Sequence, residues 1–406
     1  MAAPDHPAPV GARPTVAVVG AGVSGLTAAH LLSRTHEVTL FEAEPRLGGH
    51  AHTHSVTTSA GQARRIDSGF IVHNERTYPQ LLRLFRALDV PTRPTEMSMS
   101  ISCDGCGLSW AGGRGPGAVL AQPWRVGDPR FVRMLLEIPR FHREASAVLA
   151  DDAAADRTWG EFLDRGGYSP YFVAHFALPL VSCVWSSGDG DSLDYPARHL
   201  FAFLDHHGML SVSGSPTWRT VVGGSATYVD ALADRLRDVR TSAAVTAVHR
   251  HADGVDVRTG AGVTPFDRAV VATHADDALA LLADATPQES QDLGAFRYTR
   301  NSTVLHRDTR HLPTRRRARA SWNYRSATCG GSSAPRVTYW MNRLHGLEET
   351  GDQFLVSLNP TDPVDEGSTL ARMEYAHPVF SPEAVAAAGR LATAGGDRLT
   401  FAGAHL

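Results

Sequence analysis

A β-branched, apolar run, Thr15–Val19, leads directly into Gly20-Ala21-Gly22-Val23-Ser24-Gly25, and this junction constrains the fold more than any other stretch of the chain. A short continuous apolar run followed by a turn signal is the pattern of a parallel strand buried on both faces. The residues after the glycines place Leu26, Ala29, Leu31 and Leu32 at helical spacing, and a second strand is predicted from Glu37 to Phe41. Strand, glycine turn, helix and strand make one βαβ unit. Its glycines allow a tight turn, close passage of a pyrophosphate along the backbone and close helix packing. The helix start at Val23 and Ser24 offers N–H groups and a positive dipole end to phosphate. Glu42, 20 residues past Gly22 and next to Ala43, is placed to accept from ribose hydroxyls. With strand, helix and acid all in place, dinucleotide binding outweighs the plainer reading of a glycine turn that only packs.

At 406 residues the chain is too long for one small core, so two domains are expected. A formal net charge of −3 excludes a global field that would draw in nucleic acid. All 39 basic residues are arginine; the absence of lysine excludes Schiff-base chemistry, a lysine general base and a lysine-held water. Cys103, Cys106, Cys183 and Cys329 are too few and too scattered for a disulfide scaffold. Cys103-Asp104-Gly105-Cys106 is half a zinc site at best, and its Asp-Gly centre reads as a plain hairpin turn between Met97 and Trp110. His52/His54 and His206/His207 lack a carboxylate partner at ligand spacing, so no metal is expected. An Ala/Pro-rich tail at 1–13 reads as disordered, and no run is long enough to span a bilayer, giving a cytoplasmic protein as the expectation.

Further along, helices are predicted from Tyr78 and over Pro129–Leu149 and Thr158–Val184, with strands at Ala244–His249, Val255–Arg258 and Ala269–Ala272. A second glycine signal follows Val221. The nucleotide-binding pieces are therefore interrupted by other sequence, which predicts a discontinuous domain with another inserted.

Glu42 is followed by Glu44-Pro45-Arg46-Leu47-Gly48-Gly49-His50, which resembles the paired-glycine motif of the flavoprotein superfamily of amine oxidases, phytoene desaturases and protoporphyrinogen oxidases. Most members have arginine after the pair, where His50 stands here. Ile66-Asp67-Ser68-Gly69-Phe70 resembles the segment that runs beside the isoalloxazine in such enzymes. Val222-Gly223-Gly224-Ser225, then Val245 and Ala269–His274, resemble the superfamily's second glycine pair and its later strands. The stretches from Gly69 to Pro79, Trp218–Val221, Ser321–Tyr324, Thr338–Asn342 and Glu374–Pro378 are similar to a bacterial group of predicted NAD/FAD-binding proteins of the amine-oxidase type.

The resemblance implies an α/β chain with a Rossmann-like FAD-binding domain of the GR2 flavoprotein type and an inserted α+β substrate domain. FAD, held noncovalently, is expected from segments 14–75, 217–290 and 381–406, with the substrate domain at 76–216 (largely helical) and 291–380. The implied cofactor contacts are Gly20, Gly22, Val23, Ser24, Gly25, Glu42, Ala43, Arg46, Gly48, Gly49, His50, Asp67, Gly69, Phe70, Val245, Thr273 and Gly403. Leu399–Leu406 is similar to the strand and glycine that precede a final helix in the superfamily, so the third segment is expected to be truncated.

Classical members that oxidise amines use a lysine-held water, which this chain cannot supply. The expectation is therefore two-electron desaturation or saturation of an apolar, lipid-like small molecule, with flavin amine oxidation as one alternative. A non-catalytic flavin-binding partner of a lipid-modifying enzyme is the other. Association of the bacterial group with lipid-modifying methyltransferases points to such a partner. Candidate acid/base residues are His73, Glu75, Tyr339, Glu374 and His377. Phe172, Phe176, Trp185, Phe201 and Phe203 suit either an apolar channel or a helix core. Arg315–Arg317 with Arg319 read as a solvated loop, or at most as a peripheral membrane contact.

Overall fold

The computed structural model describes residues 13–151, 157–185, 192–211, 214–330, 336–347, 351–360, 362–392 and 396–406. The chain divides into two compact units: Met1–Gly49, Val229–Phe296 and Ala386–Leu406 form the first, and His50–Tyr228 with Arg297–Val385 the second. Of the tail expected at 1–13, all but Arg13 lies outside the described residues.

In the first unit, β1 (Thr15–Val19), α1 (Val23–Leu32) and β2 (Glu37–Phe41) stand where the sequence predicts them. They belong to a five-stranded parallel sheet in the order Asp238–Arg240, β2, β1, Arg268–Val271, Leu399–Phe401. Val16, Ala17, Val18 and Val19 are at most 3% exposed, which explains why β1 reads as a continuous apolar run and not as an alternation. An antiparallel meander, Val245–His251, Gly254–Thr259 and Gly262–Phe266, completes the unit's strands among the described residues. This is the Rossmann-like α/β arrangement.

The second unit is built on a seven-stranded mixed sheet. Its order is Thr369–Val379, Arg297–His306, Leu355–Leu358, Val337–Trp340, Trp322–Ser326, Met99–Cys103, Leu108–Gly112. Neighbours are antiparallel except Trp322–Ser326 and Met99–Cys103, which run parallel. Residues 50–75, expected in the cofactor domain, instead pair within this second unit. Thr53–Thr57 forms a hairpin with Ala63–Asp67, and Val72–Asn74 pairs with Trp218–Val221. Those hydrogen bonds set the handover at Gly49, whereas the sequence segmentation follows cofactor contact and places it at 75.

The helices Pro129–Ala150, Trp159–Arg165 and Ala197–His206 pack around Phe141, whose ring lies 5.4–6.3 Å from those of Trp159, Phe162, Phe172, Phe176 and Phe201. Phe172, Phe176 and Phe201 are buried in this core, with Trp185 and Phe203 packed against it. Phe172 and Phe201, with no exposed surface, fill space in this core.

The Asp104-Gly105 hairpin forms as predicted, but its cysteines are not alone. The ligand atoms of Cys103, Cys106, Cys329 and His175 lie within 4.8 Å of one another, a grouping that the plain-turn reading missed. Arg315, Arg316 and Arg317 are exposed, with the Arg315 guanidinium 5.0 Å from the Trp124 ring centre. No helix among the described residues is long and apolar enough to cross a membrane.

Candidate functional site

The glycines between β1 and α1 differ in what they do. Gly20 has φ +97°, a backbone region that L side chains rarely adopt, and a Cβ there would press on the Ala272 carbonyl oxygen at 2.9 Å. A Cβ on Gly25 would overlap the Gly20 carbonyl oxygen, so this glycine lets α1 sit against the strand. Gly22 is different. Its φ of −65° and ψ of 176° suit any residue, and a Cβ there would meet nothing within 4 Å. The space before Gly22 is thus an open cradle that the protein's own packing does not need. No side chain caps α1 from Gly22, and its own first turn carries no acid, so the helix itself supplies no carboxylate to this start.

The paired glycines lean on the same loop. Gly48 (φ +104°) donates its N–H to the Ala21 carbonyl at 2.8 Å, and a Cβ on Gly49 (φ +56°) would sit 3.2 Å from Gly22 Cα. Arg46 holds the turn by donating to the Gly49 carbonyl at 2.8 Å. Glu42 Oε2 accepts from the Ala21 N–H at 2.7 Å and Oε1 from the Glu44 N–H at 2.9 Å. A carboxylate has about four acceptor directions, so Glu42 braces the loop and still has capacity for ribose hydroxyls. Val245 opens the meander, Thr273 donates to the His274 carbonyl at 3.1 Å, and a Cβ on Gly403 would press on the His405 ring at 2.5 Å. These residues fit a dinucleotide: an uncapped helix start, a cradle at Gly22 and an acid braced beside it.

In the second unit the Ile66–Phe70 segment leads to a hydrogen-bonded cluster. Tyr375 Oη lies 2.7 Å from Ser68 Oγ and 2.9 Å from His52 Nδ1, and His54 Nε2 lies 2.8 Å from the same Ser68 Oγ. The rings of His52 and His54 are 4.0 Å apart, and His50 stands 4.9 Å from Tyr375 and 5.5 Å from His377. His377 Nδ1 is 3.0 Å from Asn301 Nδ2. A Cβ on Gly69 would overlap the His50 carbonyl oxygen, which also accepts from the Phe70 N–H at 2.9 Å.

Asp67 Oδ1 is held by protein partners. It accepts from Thr53 Oγ1 (2.5 Å) and from Ser225 N–H and Oγ (both 2.8 Å). His345, which burial holds below the ordinary histidine pKa, accepts from the Asp67 N–H at 3.3 Å and is a neutral neighbour, not an ion-pair partner. Asp67 thus ties the Gly223-Gly224-Ser225 turn to the hairpin.

The predicted acid/base residues do not converge. His73 is fully buried with both ring nitrogens lacking a hydrogen-bond partner, and burial, reinforced by Arg219, pushes its pKa down to about 4. Glu75 is exposed, 3.9 Å from Arg219, and Tyr339 meets Trp322 edge-on at 5.4 Å. Glu374 pairs with Arg300 at 2.8 Å on the surface. Along Thr369–Val379 successive side chains alternate faces, so Glu374 points away from Tyr375 and His377. Of these five candidates only His377 joins the cluster. Tyr375, Ser68, His52 and His54 were missed. Period-two spacing back from His377 to Tyr375, and on from His50 through His52 to His54, is the signal that could have found them.

The sequence matches the family described as flavin-containing amine oxidoreductase over residues 23–353. The curated protein "Putative flavin-containing monoamine oxidase AofH" of Mycobacterium tuberculosis is 28% identical over 289 residues, 68% of this chain and 61% of that protein. The chain therefore spans about three fifths of the length of that relative. Among solved structures, cyclohexylamine oxidase from Brevibacterium oxydans IH-35A superposes with a TM-score of 0.69 at 15% identity, covering 97% of this chain and 93% of that one. A fatty acid isomerase from P. acnes that produces CLA superposes at 0.66 with 16% identity, covering 96% and 93%. At such identities the likeness is one of fold. The family match spans well over half of the sequence, and on it the chain belongs to the flavin-containing amine oxidoreductases.

Proposed function

We propose that the chain is an FAD-dependent oxidoreductase that holds its flavin noncovalently and carries out two-electron redox on an uncharged, apolar small molecule. Gly20–Gly25, Glu42 and the Gly48-Gly49 turn would hold the dinucleotide, with the pyrophosphate beside Gly22. When bound, the flavin supplies the two-electron donor or acceptor. The chain accepts the proton in desaturation and returns it in saturation. By resemblance the Ile66–Phe70 segment runs beside the isoalloxazine, and Tyr375 is bonded to Ser68 in that segment. Tyr375 Oη can take a proton from, or return one to, a substrate carbon, with His52 as the next holder and Ser68 linking to His54.

The observation that carries the substrate class is the make-up of this cluster. An amine arrives as an ammonium ion and calls for a carboxylate, yet Asp67 is engaged elsewhere and Glu374 faces away. The chain also has no lysine to hold a water. Amine oxidation is the second reading, favoured by the monoamine oxidase name of the AofH relative.

Anaerobic titration of the FAD-loaded chain decides between them. Bleaching of the oxidised flavin by saturated acyl chains, or reoxidation of the reduced flavin by unsaturated ones, supports the proposal. Faster bleaching by primary amines, with peroxide release in air, overturns it in favour of the second reading.

A further inference from the structure

The Asp104-Gly105 hairpin turn carries Cys103 and Cys106 at the spacing of one half of a tetrahedral metal site. The fold supplies the other half. Trp322–Ser326 runs parallel to Met99–Cys103 with Ser326 opposite Cys103, so the chain leaves that strand beside the turn and reaches Cys329 three residues later. Gly105 permits this approach: a Cβ there would lie 3.2 Å from Thr328 Cα and 3.3 Å from the Ala327 carbonyl oxygen. The Asp104 N–H donates to the Ser326 carbonyl at 2.9 Å, and Arg325 bridges Asp104 and Asp362 across the two segments. The fourth side chain comes from a helix. His175 lies within a π-helical turn, Val173–Ala177, is fully buried, and has its ring against that of Tyr171 at 4.3 Å. Single π turns inside helices commonly mark functional positions because they re-aim one side chain.

The distances discriminate between a ligand set and a chance cluster. Bonds of about 2.3 Å to sulfur and about 2.05 Å to imidazole nitrogen at tetrahedral angles put two sulfurs about 3.8 Å apart and sulfur and nitrogen about 3.6 Å apart. Cys103 Sγ and Cys329 Sγ are 3.7 Å apart, and Cys106 Sγ and His175 Nε2 are 3.6 Å apart. All four ligand atoms lie within 4.8 Å of one another, room for a single ion, and none of the cysteines is disulfide-bonded.

We propose that Cys103, Cys106, Cys329 and His175 bind one zinc ion in a structural Cys₃His site. Four protein ligands close the coordination sphere, which is the mark of a structural and not a catalytic zinc. Three thiolates and one neutral imidazole around Zn²⁺ leave one negative charge. Arg125, which donates to the Cys106 carbonyl, brings a cation to the same turn. The ion would staple the hairpin, the π-turn helix and the loop after Ser326, joining residues 226 and 69 positions apart in sequence. It is independent of the flavin site and of the substrate assigned to it.

The test is metal analysis of the full chain, purified without a metal-affinity tag from zinc-supplemented cells and kept reduced. The expected result is about one zinc per chain, falling below about a tenth in Cys329→Ser and in Cys106→Ser. Cys183→Ala, a buried cysteine outside the cluster, retains the metal. Cys329 is exposed, so its serine variant leaves the core intact. Cobalt reconstitution should give a thiolate-to-cobalt charge-transfer band in the wild type and not in Cys329→Ser. A strong chelator should lower Tm by roughly 5 °C or more in the wild type only. Zinc below about a tenth of an equivalent after reconstitution, iron in its place, or a Cys103–Cys329 disulfide in freshly purified protein each overturns the proposal.

Discussion

Gly22 and Tyr375 are the two residues at which the functional reading can be separated from the fold. Because a side chain at Gly22 meets open space in an ordinary backbone conformation, Gly22→Val should leave the apoprotein's Tm within about 2 °C of wild type. The same side chain would stand in the pyrophosphate's path, so FAD retained after desalting should fall below about a tenth of the wild-type amount. Gly25→Ala is the contrasting variant, since its methyl would overlap the Gly20 carbonyl and destabilise the apoprotein itself. Yellow, FAD-replete Gly22→Val protein would remove the cradle from the cofactor site. Tyr375→Phe keeps the ring and deletes the hydroxyl that joins Ser68 to His52. Flavin content should be unchanged while anaerobic flavin reduction by substrate slows roughly a hundredfold, the ordinary worth of a positioned acid or base. An unchanged rate in this variant would mean that the proton leaves by another route.

Elements whose contacts are local were legible in the sequence, and those whose contacts are distant were not. β1, α1 and β2 were predicted within a residue or two because glycine turn, apolar run and helical spacing all lie within about thirty residues. The Met99–Cys103 and Leu108–Gly112 hairpin was readable from Asp104-Gly105 for the same reason. The hydrogen bond between Tyr375 and Ser68 spans 307 residues, and the contact between the Cys103 and Cys329 thiols spans 226; both depend on strand register that no local pattern encodes. Asp67 shows how such a distant tie holds elements together. It lies at the end of Ala63–Asp67 and accepts from the backbone N–H of Ser225, in the turn that follows Trp218–Val221. Asp67→Ala would leave that buried N–H without its acceptor and should cost about 2–4 kcal/mol in urea unfolding. Asp67→Asn retains an oxygen at Oδ1 and should cost less than half as much. Equal losses in the two variants would show that the charge, and not the acceptor geometry, secures the turn.

At the scale of the whole molecule, buried neutral histidines should set how the protein responds to acid. Burial is the leading cause that pushes His73, His142, His306 and His405 down from 6.5 to about 4. In the unfolded chain these imidazoles take up protons near pH 6.5, whereas in the folded chain they stay neutral until about pH 4. Between those values the unfolded state binds more protons, so stability is intact above pH 6.5 and is lost as pH falls towards 4. Each histidine contributes a slope of at most about 1.4 kcal/mol per pH unit. Asp308, held well below the usual carboxylate range chiefly by its hydrogen bonds from Arg310, contributes stability that persists down to the ordinary aspartate pKa and is lost only on further acidification. Urea midpoints of the apoprotein, measured without FAD so that ligand linkage does not enter, should be level from pH 8 to 7 and decline steadily from about 6.5 to 4.5. His73→Leu removes one of these groups and should lower that slope by at most about 1.4 kcal/mol per pH unit, because independent sites add in the linkage relation. A midpoint that stays level down to pH 4.5 would mean that these imidazoles gain no proton on unfolding, and the buried, neutral state assigned to them would have to be given up.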